Sequence, residues 1–120
     1  MLTSHPYQEA RPLSYFVSHL ADLPNWLWLY VGADTSEILI DTVCHPTAAD
    51  SRDMSDEEIE RFEAYSTHAG LRSLLCRDQL QEIFDNLKEQ QAASSQEELA
   101  AAINFYWKHD AFIDLSTHAA

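Results

Sequence analysis

The sequence predicts an α+β domain in which a small antiparallel sheet of about three strands packs against about four helices. Three observations predict it. Four segments carry apolar residues at helical spacing, two apolar runs of strand character flank a glycine-containing turn, and a third such run follows a second glycine. With 120 residues, 46% of them hydrophobic, the chain suffices for one core, and residues 1–120 are read as a single domain.

The first helix begins near Pro12, because Leu13, Phe16, Val17 and Leu20 recur at i, i+3, i+4 and i+7, and Pro24 stops it. Residues 26–31, WLWLYV, are apolar throughout with an aromatic at alternate positions, which suits a strand covered on both faces. Residues 32–36 supply a turn. Beyond it Ile38, Ile40, Thr42 and Cys44 alternate as a second strand, paired with the first as a hairpin and ended by Pro46. Residues 47–56 are polar, and Ser55 with Glu58 forms a capping box for a helix reaching about Ser66, with Ile59, Phe62 and Tyr65 turned inward.

Gly70 ends that helix, and LRSLLC at residues 71–76 is read as a third strand. Asp78 is expected to cap the next helix, whose Leu80, Ile83, Phe84 and Leu87 form the clearest amphipathic pattern in the chain. Ser95 and Glu98 give a second capping box, and Leu99, Ala102, Ile103, Tyr106 and Trp107 form the apolar face of a last helix. Residues 1–10 and 116–120 are expected to fray.

Twenty acidic residues stand against seven basic ones, a formal charge of -13. Such a field repels phosphates, so direct nucleic-acid binding is not expected, while basic proteins are attracted. Ten acidic and only two basic residues lie between positions 34 and 63. The helix dipole accounts for Asp56, Glu57 and Glu58 at a helix start, but not for Asp34, Glu37, Asp41, Asp50 and Asp53. Together with Glu60, Glu63 and Tyr65 these residues form the expected partner-binding region, with Trp26, Trp28 and Tyr30 as further candidate anchors.

Catalytic signatures are lacking. With Gly32 and Gly70 as the only glycines, the chain has no phosphate-binding loop, nucleophile elbow or zinc-protease motif, and neither a catalytic residue nor a cofactor is assigned. Cys44 beside His45, with His68 or His109 as base, is a conceivable nucleophile, yet Cys44 keeps phase with Ile38 and Ile40 and reads as a buried apolar residue. A zinc site built from Cys44, His45, His68 and Cys76 has suitable ligand types without zinc-binding spacing. Asp110 and Asp114 sit among apolar residues, as caps do. Two cysteines are too few for a disulfide framework. No stretch has the length of a membrane span and no leader is visible, so a cytoplasmic location is expected.

Four segments carry a resemblance: ADLPNWLWLYV at 21–31, EILIDTVC at 37–44, LQEIFDNLKEQ at 80–90 and ELAAAINFYWKHDAFIDL at 98–115. In these the chain resembles small bacterial immunity proteins of polymorphic and contact-dependent toxin systems. The resemblance implies a non-enzymatic protein that binds and neutralises a cognate toxin, and the charge makes a basic nuclease the expected target. The alternatives are a nucleic-acid mimic that inhibits a host or phage nuclease, and a metal- or cysteine-dependent enzyme. Oligomeric state is not legible.

Overall fold

The alternation in WLWLYV is converted by the backbone into two sheet faces with different covers. Leu27, Leu29 and Val31 are at most 2% exposed, whereas Trp28, pointing the other way, is 37% exposed. In the computed structural model, which describes residues 7–91 and 94–115, the elements are β1 (Arg11–Pro12), α1 (Leu13–Ser18), β2 (Trp28–Gly32), β3 (Val43–Pro46), α2 (Asp56–His68), β4 (Leu71–Cys76), α3 (Arg77–Gln90) and α4 (Gln96–His109). The strands form one antiparallel sheet in the order β1-β3-β2-β4. The α+β class and four helices are as expected, with one strand more.

Helices α1, α3 and α4 cover one face. Leu13 and Phe16 of α1, Leu80, Ile83 and Leu87 of α3, and Leu99, Ala102 and Ile103 of α4 close over Leu29 and Val31 in a single core. Helix α2 lies on the opposite face, where Phe62 meets Tyr30 edge-on with ring centroids 5.6 Å apart. Its capping box is complete: Glu58 N–H donates to Ser55 Oγ at 3.2 Å, and Ser55 N–H donates to Glu58 Oε1 at 2.8 Å. Strand β4 forms as read, with an irregularity opposite Leu29 and Tyr30 where the register steps from Leu75 to Ser73.

Three expectations are corrected. The second strand is Val43–Pro46 rather than 38–44, and it joins β2 through a ten-residue connection, residues 33–42, instead of a tight hairpin. The apolar alternation there reports burial, with Ile38 1% exposed, but the backbone serves another purpose. Carbonyls of Thr42 and Ile40 accept from Leu13 and Ser14 N–H at 2.8 and 2.9 Å, satisfying the first donors of α1, which Pro12 leaves without a side-chain cap. The extra strand, β1, is two residues long and pairs with Cys44 and Val43; so short a strand has no periodicity to read. Helix α3 starts from Cys76 and not from Asp78, because Gln79 Oε1 reaches back to accept from Cys76 N–H at 3.0 Å.

Residues 7–10, expected to fray, run along β3: Tyr7 is 6% exposed, bridges to Thr47, and is followed by Gln8 N–H donating to Pro46 O at 2.7 Å. The expectations for residues 1–6 and 116–120 lie outside the described residues. Gly70 ends α2 at φ +74°, in open space, so the cost of a side chain there is purely conformational. Gly70→Ala is expected to lower stability by about 1 kcal/mol in urea unfolding, and Gly70→Asn by less. Equal losses for the two would point to a steric cause.

Candidate partner-binding site

The second face of the sheet is incompletely covered, and the chain after β3 determines how. Thr47 prolongs the ladder, its N–H donating to Trp28 O at 3.0 Å and its hydroxyl accepting from Trp28 N–H at 3.1 Å. Asp50 then caps a short 3-10 turn, accepting from Arg52 N–H at 2.9 Å and holding the Arg52 guanidinium at 2.6 Å. The segment from Thr47 to Ser55 thus borders the gap between sheet and helix before α2 begins. Ile59 and Phe62 fill that gap only in part and stay half-buried.

What remains is a groove of about 280 Å³. Trp26, Trp28, Tyr30 and Ser73 form its sheet side, Ala49, Ser51 and Met54 its open edge, and Ile59, Phe62 and Glu63 its helical wall. Burial raises the Tyr30 pKa, and the charge of Glu63 raises it further, which puts that carboxylate beside the groove's phenol. The groove is thus mainly aromatic and apolar, with one carboxylate, Glu63, at its wall.

Of the expected partner-binding residues, the structure brings eight to this side: Asp50, Asp53, Asp56, Glu57, Glu58, Glu60, Glu63 and Tyr65 all lie on the 47–55 segment or on α2. Two have structural work. Asp50 is tied to Arg52, and Glu58 closes the capping box; hydrogen bonds hold both carboxyls below their ordinary pKa. The remaining three do not join them: residues 37–42 pack toward α1 and α4, and Asp34 lies in the turn that Ala33 N–H ties to Gly70 O. Glu37 is paired with Lys108 of α4 at 2.5 Å and accepts from Asn104 at 2.9 Å, while Asp34 and Asp41 are exposed in the same connection. The expected anchors Trp26, Trp28 and Tyr30 all line the groove, whereas Ile59, Phe62 and Met54 were absent from the expected region. The alternation of aromatics in residues 26–30 was the available signal for a second, differently covered face.

Beyond the groove, Tyr7 anchors an aromatic cluster, with ring centroids 5.4 Å from Tyr30, 5.3 Å from Phe62, 6.2 Å from Tyr65 and 6.3 Å from His45. Its hydroxyl bonds Ser66, which is buried on α2. Desolvation holds the His45 pKa below its ordinary 6.5, so folding favours the neutral imidazole. That contribution is complete above pH 6.5 and is lost as the pH falls through the lower folded value. The lowered carboxylates act only below 4.5. Stability measured between pH 7 and 5 is therefore expected to decline in the wild type and to stay flatter in His45→Gln; identical slopes would remove His45 as the cause.

The catalytic alternatives find little geometry. Cys44 is fully buried and burial pushes its thiol up to about 12, while adjacent His45 lies on the other side of the strand against Tyr7. Cys44 and Cys76 are free thiols. Among the described residues no three His, Cys, Asp or Glu side chains lie close enough to hold a metal ion. Asp110 closes α4 in the left-handed conformation at φ 53°, a capping role. No helix among them is long and apolar enough to cross a membrane.

Residues 11–115 match the model of a family described as a domain of unknown function, DUF7716. No curated protein and no solved structure matches the chain.

Proposed function

The chain belongs to the DUF7716 family, and from that premise we propose that it is a non-catalytic, cytoplasmic immunity protein that binds and neutralises a basic bacterial toxin, a nuclease in the first instance. The observation that carries the proposal is the groove between the sheet and α2, where Trp28 is exposed beside half-buried Trp26, Tyr30 and Phe62 and the Glu63 carboxylate stands at the wall, on the helix that also carries Glu60. Carboxylates on a rim attract and orient a basic protein, and desolvated aromatics supply the affinity that rim charges lack. The resemblance in residues 21–31, 37–44, 80–90 and 98–115 supports the same reading.

The test is to express the protein encoded beside this gene, alone and together with the chain. The expected result is toxicity relieved by co-expression and a complex that co-elutes on purification. The absence of both protection and a complex would refute the proposal. Inhibition of unrelated nucleases through the same acidic wall, without protection against the neighbouring product, would mark a nucleic-acid mimic instead.

A further inference from the structure

The chain contains seven lysines and arginines, and each already faces a partner within it. Arg11 lies over the Tyr15 ring, Arg72 over Trp107 and Lys88 over Phe84, with nitrogen or guanidinium carbon 4.4, 4.3 and 5.4 Å from the ring centroids. Arg52 is held by Asp50, Arg77 by Asp78 and Lys108 by Glu37, and Arg61 stands within electrostatic reach of Glu58. The fold therefore places three of its cations on aromatic rings, two of them guanidinium groups. Trp107 shows the full arrangement: a guanidinium over the ring and its indole N–H donating to Ser73 O at 3.4 Å.

Trp26 and Trp28 receive no such treatment. Among the described residues neither indole has a cation over it, a ring partner or a hydrogen bond from its N–H, although both line one groove and Trp28 is 37% exposed. Tyr30 and Phe62 close the same space, and Glu63 supplies a carboxylate at its wall. Unpaired aromatic faces next to an uncommitted carboxylate form a receptor for a cation, and every lysine and arginine of the chain already faces another partner.

We infer that the groove between Trp26, Trp28, Tyr30, Phe62 and Glu63 receives an arginine side chain projecting from the basic protein partner. Arginine is favoured over lysine because its planar guanidinium stacks on an indole while its N–H groups donate to a carboxylate, as a compact ammonium cannot do at once. The occupant sits at the centre of the interface, where a single buried anchor dominates affinity. This deepens the function proposed above and rests on its reading of the partner as basic.

The test is a titration of the full chain with the capped peptide Gly-Arg-Gly, followed through the three indole N–H resonances. Trp26 and Trp28 are expected to shift saturably while Trp107 stays fixed as the internal control. The matched peptide with neutral citrulline is expected to leave all three unmoved, and Glu63→Gln, an exposed and conservative change, to weaken arginine binding about tenfold. Equal shifts with citrulline, equal binding of a lysine peptide, uniform movement of all three indoles, or unaltered binding in Glu63→Gln would each overturn the inference. A toxin complex that forms although the arginine peptide does not bind defeats the inference alone. Specific arginine binding with no toxin complex defeats the immunity reading alone.

Discussion

Replacing Trp28 by alanine is expected to weaken the complex with the basic partner by about 2 kcal/mol, roughly thirtyfold in Kd, while the fold survives. The asymmetry follows from position. Trp28 turns away from the core, 37% exposed on the sheet face that α2 covers incompletely, so its removal opens no cavity among the buried leucines. The neighbouring Leu29, 1% exposed between the sheet and its helical layer, is the opposite case: Leu29→Ala is expected to lower stability by about 3 kcal/mol. Trp107→Ala serves as the control for indole loss away from the groove, since its ring lies under Arg72. Binding by calorimetry and unfolding by urea separate the effects, and a Trp28→Ala protein that binds like wild type would remove the groove from the interface.

Neutralising Asp53, Asp56, Glu57, Glu60 and Glu63 together is expected to slow association ten- to a hundredfold at low salt, with dissociation changed much less. The set omits Asp50 and Glu58 because each holds local structure, the first through Arg52 and the second through the capping box. Their loss would mix a folding effect into an electrostatic one. Neutralising Asp41 on the 33–42 connection is expected to change the rate far less, since residues 38–42 pack on the α1 and α4 side. Stopped-flow association across a salt series reads both variants: the fivefold variant should flatten the salt dependence, and a slope equal to wild type would show that the wall does not steer.

The helices were legible because their signals are local. Both Ser/Glu capping boxes, the Gly70 terminator and the 3.6-residue stripe of α3 act through residues within one or two turns. The second strand was misplaced because Ile38 and Ile40 satisfy a packing requirement of the helical layer while their backbone meets donors of α1 and Asn104 of α4, distant in sequence. No period announces such a bond. The acidic region was legible as composition but not as a surface: Glu37 looked as available as Glu63, and only the tertiary approach of Lys108 distinguishes them. Trp28 was the harder case, since an alternating aromatic strand is read as covered on both faces, and how much of the second face α2 covers depends on its path after Thr47.

The most direct test of the central claim, that the sheet and α2 together form the binding face, is amide hydrogen exchange of the chain with and without its basic partner. Protection is expected to rise along β2, across residues 47–55 and along α2, and to stay unchanged in α1, α3 and α4. Protection confined to α1, α3 and α4, with α2 exchanging as in the free protein, would contradict it.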